Sequence, residues 1–244
     1  MARSEGTSHK CLVDVAGTPM LVRVVEALEA SPSVEGLALS IEDPAVLDSL
    51  PSVAAAARSG ALTVLTSAKT PSQSVLAAAQ ALGRYPLLIA TADNPLLNPE
   101  AVEHFCRAAR LAPADVVAGV TSEAVAKREY PETKRTFLRF RDGRYSGCNL
   151  FALTNPAGLR AVRFWDEAGR HRKRPWRLVA SFGLWSLALI LLGRLTLAEA
   201  VERAGRVMGL RAEAVEMPFP TAPIDVDRPE DLALVRRILA ERQP

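Results

Sequence analysis

Residues 86–97 read PLLIATADNPLL, and this stretch decides the fold. The run Pro86–Ala90 is continuously apolar, as expected for a strand that is buried on both faces of a parallel sheet. Asp93 follows this run closely, and Pro95 stops the strand. Ligands bind outside the carboxyl ends of the strands in an open parallel sheet, so Asp93 is predicted to lie at a ligand-binding edge.

Strand-like and helical segments alternate on both sides of this stretch. Helix starts are marked by an N-cap residue before proline, as at Asn98-Pro99, and Gly83 is a stop signal. The predicted strands are 36–41, 62–65 and 115–120, and the predicted helices are 19–30, 43–59, 71–82 and one that starts at 99. Such alternation predicts a three-layer α/β/α fold with a mostly parallel sheet.

The order of elements changes in the second half of the chain. Asp142-Gly143 lies between two strand-like runs and is a strong turn signal, so a β-hairpin is predicted near 136–153. Three helical stretches follow and form a predicted helical insertion near 156–208: residues 156–169, 175–193 and 196–208. A strand at 211–217 and a helix at 228–241 close the chain. Since no repeat or Gly/Ser linker interrupts it, residues 1–244 are interpreted as one domain.

The composition excludes several classes of protein. Hydrophobic residues make up 49% of the 244 residues and charged residues 23%, unlike disordered, collagen-like or coiled-coil chains. The formal net charge of +3 is too small to indicate nucleic-acid binding by itself. Cys11, Cys106 and Cys148 form no CxxC pair, and the first ten residues have no apolar leader pattern, so a cytoplasmic location is expected.

Two acidic segments are candidate metal sites. Asp93 ends a strand, and Mg²⁺ prefers one or two carboxylates together with phosphate oxygens and waters. Asp225 and Asp227 alternate with apolar residues, so on an extended segment they share a face, where two carboxylates repel each other unless a cation lies between them. The alternatives are that Asp93 caps a turn and that Asp227 is an ordinary N-cap, which leaves Asp225 without a role.

Three further segments combine polar groups with backbone freedom. Lys10 precedes a short apolar stretch that runs through Gly17 into a helix. Two interpretations stay open: the ammonium is directed at phosphates, or Lys10 is simply a surface lysine. Ser74 lies in the first turn of a predicted helix, where hydroxyls cap the helix or bind an anion. Gly147 allows close backbone approach, and Asn149 is polar within an apolar strand, which fits ligand binding or a β-bulge.

Together these segments resemble the MobA-like NTP-transferase family, whose members are nucleotidyltransferases with a Rossmann-like, GT-A type fold. Four motifs occur in the family's order: KCLVDVAGTPM at 10–20, SVLAA at 74–78, ADNPLL at 92–97 and DVDRPEDL at 225–232. Each motif is weak alone, but four in the right order over most of the chain form a specific signal.

The resemblance implies roles for the matched acidic and basic residues. Asp93 and Asp227 are expected to hold Mg²⁺, with Asp225 in support of them. Lys10, at the head of the segment that contains Gly17, is expected to neutralise the triphosphate. These assignments imply an enzyme that acts on a metal-bound nucleotide.

The resemblance also implies residues for the base and the acceptor. Ser74 matches the family residue that lies beside the nucleotide base, and this match slightly favours CTP as the nucleotide substrate. The acceptor is expected to contact Asn149, Gly147 and one or more of Lys134, Arg135 and Arg172. Arg172 belongs to the run 160–177, in which seven basic residues meet two acidic ones. A cluster of this kind suits a phosphate or a carboxylate.

An apolar and aromatic stretch at 175–193 follows the basic run. Its longest apolar part, Leu178–Leu192, is shorter than the roughly 20 residues that a membrane span needs. Three interpretations stay open: a helix buried against the sheet, which is favoured, a lid over the substrate, or an interfacial helix on an anionic membrane.

The N-terminus departs from the family pattern. The family begins with a strand and a loop of the form LAGGxGxR, whose backbone N–H groups hold the phosphates. Here nine residues with one glycine precede Lys10. Either translation starts upstream of Met1, which is the preferred interpretation, or the chain lacks this phosphate loop.

The sequence therefore predicts an Mg²⁺-dependent nucleotidyltransferase that transfers a nucleoside monophosphate from CTP or GTP to a small phosphorylated or cofactor-like acceptor and releases pyrophosphate. One alternative is a nucleotide-binding or scaffold domain that lost the loop and its activity. Another is a peripheral membrane transferase with a lipid-linked acceptor. The expected partners are an NTP and a small acceptor, without nucleic acid, and a homodimer stays open.

Overall fold

The structure is a computed structural model that describes residues 5–170 and 193–242. Its strands are β1 (Asp14–Val15), β2 (Thr18–Pro19), β3 (Leu37–Ile41), β4 (Leu62–Thr66), β5 (Leu87–Ala90), β6 (Val116–Ser122), β7 (Leu138–Phe140), β8 (Gly143–Leu153) and β9 (Ala212–Glu216). Its helices are α1 (Met20–Glu29), α2 (Pro51–Ser59), α3 (Pro71–Leu82), α4 (Pro99–Leu111), α5 (Glu123–Glu129), α6 (Leu159–Arg170), α7 (Leu197–Met208) and α8 (Pro229–Glu241). The predicted α/β class is confirmed.

Local sequence signals set the ends of the helices. The Thr70 hydroxyl accepts a hydrogen bond from the Gln73 N–H at the start of α3, and Asn98 caps α4 in the same way. The predicted helix at 43–59 is divided at Pro51 into a 3₁₀-helix (Pro44–Ser49) and α2. Proline has no N–H to donate, so a continuous helix through this position would lose a hydrogen bond.

The main sheet is mixed, which corrects the expectation of a mostly parallel sheet. Its strand order is β5-β8-β6-β9, and β7 pairs with β8. The hairpin strand β8 lies between β5 and β6 and is antiparallel to both, whereas β6 and β9 are parallel. Strands β5, β6 and β9 still run in one direction, so the alternating part of the sequence keeps the predicted strand direction.

Strand β5 is less buried than its apolar sequence predicts. All four residues Leu87–Ala90 are only half-buried. Within the described ranges, β5 pairs with β8 along one edge and has no ladder partner on the other. The prediction that β5 is buried on both faces was therefore wrong.

Strands β3 and β4 form a separate parallel ladder, in which Leu37 pairs with Leu62. Residues of α1 and α2 pack on this ladder in a hydrophobic cluster that also contacts Ala92, in the loop after β5. The loop after β5 thereby packs against the core that holds the β3–β4 ladder. A second cluster packs α4 against β6 and β8.

Helices α6 and α7 confirm the first and last stretches of the predicted helical insertion. Arg172 and most of the predicted helix at 175–193 lie outside the described residues. Within the described ranges, no helix is both long and apolar enough to cross a membrane.

Candidate active site

Three distant segments of the chain meet because their apolar residues share one core. These residues come from the segment after Lys10, the loop after β5 and the chain from 224 into α8: Val13, Val15, Met20, Leu96, Ile224, Val226, Leu232, Val235 and Ile238. The Val226 N–H also donates to the Asp93 carbonyl oxygen at 2.8 Å. Burial of these residues therefore fixes the polar residues between them in one place.

Lys10 lies between Asp93 and Asp227. Its Nζ donates to Asp93 Oδ2 at 2.9 Å and to Asp227 Oδ1 at 2.7 Å. The Thr91 hydroxyl donates to Asp93 Oδ1 at 2.5 Å. The site is open to solvent, since the side chain of Lys10 is 37% exposed and that of Asp227 is 60% exposed. One cation is thus shared by two carboxylates at an accessible position.

The pKa values in this cluster follow its charges. Burial lowers the pKa of the Lys10 ammonium, but hydrogen bonds to Asp227 and Asp93 and the charges of both outweigh it, so that the pKa is raised above its ordinary value. The hydrogen bond from Lys10 lowers the pKa of Asp227 more than burial raises it. Both shifts favour the charged forms at neutral pH.

The capping alternatives for these carboxylates are wrong. Helix α4 is capped by Asn98 and not by Asp93. At α8, the Asp231 carboxylate accepts hydrogen bonds from the backbone N–H groups of Asp227 and Arg228. The Asp227 side chain does not cap α8 and instead accepts a hydrogen bond from Lys10. Because capping is done by other residues, Asp93 and Asp227 are available to bind a cation.

Asp225 differs from Asp227, although only one residue separates them. Both of its carboxylate oxygens are engaged, one by Arg135 Nη1 and the other by Asn149 Nδ2 at 2.8 Å. Its side chain is 8% exposed. Burial raises the pKa of Asp225 above its ordinary value, against the lowering effects of Arg135 and Asn149. The two aspartates therefore differ in burial and in partners: Asp225 is held by Arg135 and Asn149, whereas Asp227 accepts from Lys10.

Asn149 reaches Asp225 from a β-bulge. The register of β8 against β6 shifts between Ala118 and Val120, and Asn149 has a φ of 54°. A positive φ is uncommon for residues other than glycine, and asparagine tolerates it better than most. The predicted bulge is confirmed, and it directs a polar side chain toward the acidic segment.

The sequence analysis did not single out Asn94. This side chain is buried, and its Nδ2 donates to the carbonyl oxygens of Ala222 at 3.1 Å and Cys148 at 3.4 Å. It ties the loop after β5 to β8 and to the segment before Asp225. The only signal in the sequence was its polarity between Asp93 and an apolar run.

The remaining predicted residues lie in different surroundings. Ser74 is buried, and its hydroxyl accepts from the Ala68 N–H and donates to the Thr70 carbonyl, so it shapes the loop before α3. Gly17 lies in the turn between β1 and β2, with a φ of 81° and its N–H donating to Asp14. Gly147 is exposed beside the bulge, with no atom within 4 Å of the position of an added Cβ.

The donor set fits a hard divalent cation that is also bound by a substrate. In the described part of the chain, no group of three or more metal-ligating side chains occurs. Asp93 and Asp227 nevertheless converge on one cation, and two carboxylates with phosphate oxygens are an arrangement that Mg²⁺ prefers. Asp93 and Asp227 are thus the pair that could hold such a cation together with oxygens of a bound molecule.

Comparisons with known proteins match this fold and these motifs. The family model for the MobA-like NTP transferase domain matches residues 2–208. A 3-deoxy-manno-octulosonate cytidylyltransferase from an Anaeromyxobacter species is 28% identical over 237 residues, which cover 95% of this chain and 90% of the relative.

Two solved structures are similar in fold. A hypothetical transferase from Thermus thermophilus is 31% identical, with a TM-score of 0.79 over 95% of this chain and 93% of that one. A CMP:2-keto-3-deoxy-manno-octonic acid synthetase in complex with CTP is 15% identical, with a TM-score of 0.59 over 96% and 92% of the two chains. The Rossmann-like fold is thus shared. Because the family model spans most of the sequence, the chain belongs to the MobA-like NTP transferase family of nucleotidyltransferases.

Proposed function

We propose that this chain is an Mg²⁺-dependent cytidylyltransferase, which transfers CMP from CTP to a small anionic acceptor and releases pyrophosphate. The observation that carries the proposal is the convergence of Asp93 and Asp227 on the Lys10 ammonium. CTP is supported by the cytidylyltransferase relative, which covers 95% of the chain. The proposal also places the protein in the cytoplasm as a single domain.

In the reaction, a nucleophilic oxygen of the acceptor attacks the α-phosphorus of CTP. The bond to the bridging oxygen breaks, and pyrophosphate leaves with that electron pair. Such transfer depends on positioning and on neutralising charge rather than on a covalent nucleophile. Mg²⁺, when bound by Asp93 and Asp227, supplies that neutralisation.

Lys10 is suited to contact the phosphates. Its ammonium is protonated at neutral pH, as for an ordinary lysine, and its acidic neighbours raise its pKa further. The side chain is partly exposed, so it can exchange a carboxylate for a phosphate oxygen without opening the core. A surface lysine without a role would not be held by two carboxylates from segments 83 and 217 residues away.

The acceptor side of the site comprises Asn149, Gly147, Lys134 and Arg135, with Arg172 retained from the sequence pattern. Arg135 is held by Asp225, whereas Lys134 is exposed and forms no ion pair with any described residue. Of the two described cations, Lys134 is therefore the one that is free to meet an acceptor anion. The open space beside Gly147 leaves room for the acceptor.

Covalent catalysis by Cys148, which precedes Asn149 in β8, has no support. Burial raises the pKa of the Cys148 thiol to about 12. Its Sγ lies 3.0 Å from the Thr121 hydroxyl within the core. A thiol in this state is not a useful nucleophile at neutral pH.

The first test is thermal unfolding with CTP, GTP, ATP and UTP, each with and without Mg²⁺. Ligand that binds only the native state raises the melting temperature. We expect a shift with CTP that requires Mg²⁺. A shift with GTP alone would reassign the base, and no shift with any nucleotide would refute the proposal.

The second test measures pyrophosphate release from CTP with candidate acceptors. The panel contains 3-deoxy-manno-octulosonate, the substrate in the relative's name, a sugar phosphate and a neutral sugar. An anionic acceptor is expected to support turnover. Turnover with the neutral sugar at the same rate would refute the role given to Lys134.

A further inference from the structure

Helix α6 carries a buried carboxylate that the proposed chemistry does not use. Asp166 is 7% exposed, on a helix whose neighbouring residues Trp165 and Glu167 are exposed. Burying a carboxylate is costly unless hydrogen bonds compensate it. The position therefore calls for specific partners.

Those partners lie at the start of α3. The Thr70 hydroxyl donates to Asp166 Oδ1 at 2.8 Å, and Gln73 Nε2 donates to Oδ2 at 3.3 Å. Thr70 is also the N-cap of α3, since its hydroxyl accepts from the Gln73 N–H at 3.1 Å. The contact spans more than 90 residues of sequence and joins two helices that pack together.

The β4–α3 loop (Ser67–Thr70) is fixed by these bonds from two sides. From inside, the Ser74 hydroxyl accepts from the Ala68 N–H at 2.9 Å and donates to the Thr70 carbonyl at 3.1 Å. From outside, Asp166 holds the Thr70 side chain. Neither helix alone determines the conformation of the loop.

The loop lies at a ligand-binding edge of the fold. It leaves the carboxyl end of β4, which is where ligands bind in open α/β sheets. Ala92, next to Asp93, packs against the same hydrophobic cluster as β3 and β4. The N–H groups at the start of α3 face this edge with the positive end of the helix dipole.

We infer that Asp166 is a positioning residue for nucleotide binding: it holds the β4–α3 loop in the conformation that receives the base of CTP. The inference rests on the proposed function. It also links helix α6 to the β4–α3 loop through one carboxylate. Asp166 acts through Thr70 and does not touch the reacting atoms.

The test compares CTP binding by variants on both sides of the contact. Asp166→Asn removes the negative charge from this contact and Thr70→Val removes the donating hydroxyl, and each is expected to weaken CTP binding about tenfold in calorimetry with Mg²⁺. Thr70→Ser keeps the hydroxyl and is expected to bind like wild type. Glu167→Gln, an exposed neighbour on the same helix, is the matched control.

Two further readouts separate positioning from a general loss of structure. Mn²⁺ binding at Asp93 and Asp227 is expected to be unchanged in Asp166→Asn, while hydrogen exchange of the Ala68 amide becomes faster. The double variant Asp166→Asn with Thr70→Val is expected to lose less affinity than the sum of the two single losses, because both changes act on the Thr70–Asp166 contact, while Thr70→Val also removes the N-cap of α3.

Wild-type CTP affinity in Thr70→Val, which removes the hydroxyl that contacts Asp166, would overturn the inference, as would equal losses of CTP and Mn²⁺ binding in both variants. If wild type itself binds no nucleotide with Mg²⁺, the proposed function falls and this inference with it. If wild type binds CTP and the variants match it, only the positioning role falls.

Discussion

Asp225 and Asp227 are separated by one residue, yet the fold puts them to opposite uses. Asp227 is exposed and, like Asp93, accepts a hydrogen bond from the Lys10 ammonium. Asp225 is buried, and its two carboxylate oxygens accept from Arg135 and Asn149. Val226 between them is fully buried and hydrogen-bonded to the Asp93 backbone. One aspartate can exchange its partner for a ligand, and the other holds the surrounding residues in place.

The contrast teaches that exposure separates binding residues from residues that build the site. Partial exposure lets the Lys10, Asp93 and Asp227 cluster change partners at low cost, since solvent screens each ion pair. The Asp225 network cannot change partners without leaving a buried charge unpaired. Changes on the exposed side should therefore affect chemistry, and changes on the buried side should affect stability.

The largest expected effect is on turnover in Asp93→Asn. Loss of one of two carboxylates that bind the metal should lower the rate of pyrophosphate release by roughly 10³-fold, with little change in melting temperature. Glu230→Gln, an exposed acid near Asp227, is the control and should keep the wild-type rate. Wild-type turnover in Asp93→Asn would remove Asp93 from the metal site.

The next largest effect is on stability in Asp225→Ala. The change leaves the Arg135 guanidinium and the Asn149 amide without their acceptor, which should lower the free energy of unfolding by about 3 kcal/mol in urea titrations. Asp227→Ala should cost less than about 1 kcal/mol, because its ion pair is exposed. Equal losses in the two variants would contradict the distinction between these residues.

Asn149 offers a way to separate hydrogen bonding from backbone conformation. Asn149→Ala loses the bond to Asp225 and puts a residue that tolerates a φ of 54° less well than asparagine at this position, so about 2 kcal/mol of stability should be lost. Asn149→Gly loses the same bond without that strain, and about 1 kcal/mol should be lost. If the alanine variant proves as stable as the glycine variant, the positive φ carries no cost.

The smallest expected effect is the pH dependence of the Lys10 ion pairs. The lowered pKa of Asp227 gives stability that is present above about pH 4 and is lost as the pH falls through its folded value. The raised pKa of Lys10 gives stability that is present below about pH 10 and is lost as the pH rises through its folded value.

Lys10→Gln should therefore be less stable than wild type by under about 1 kcal/mol between about pH 5 and 9, and the difference should shrink at both extremes. Chemical unfolding across this pH range measures the difference. Lys134→Gln, which removes an exposed lysine without an ion pair in the described chain, should show no such window. A difference that grows at low pH would contradict the assigned partners.

Local signals allowed much of the fold to be predicted from sequence. Helix ends are marked by local capping residues, namely Thr70-Pro71, Asn98-Pro99 and Gly83. Their effect does not depend on distant residues, because each acts on the backbone of its own helix. The place of β8 in the sheet was not predictable in this way. Its pairing of Leu153 with Leu87 joins residues far apart in sequence, and periodicity does not specify a strand's neighbours.

The candidate site divides along the same line. Motif order brought Lys10, Asp93 and Asp227 together as candidates, and the structure places them in hydrogen-bond contact. The pairing of Arg135 with Asp225 was missed, because the segment around Arg135 has no regular pattern that fixes where its side chains point. The burial of Asp166 was missed, since an acidic residue in a basic helix is typical of a solvated surface.

The separation of the β3–β4 ladder from the five-stranded sheet has a consequence for local opening. Strands β6 and β8 have neighbours on both edges, whereas β3 and β4 each pair along a single edge within the described ranges. Segments with fewer ladder bonds and more exposed residues open at a lower free energy than the global unfolding transition. The β3–β4 ladder, which leads into α3, should therefore open locally at a lower free energy than the five-stranded sheet. A ligand bound beside it would raise the free energy of this local opening.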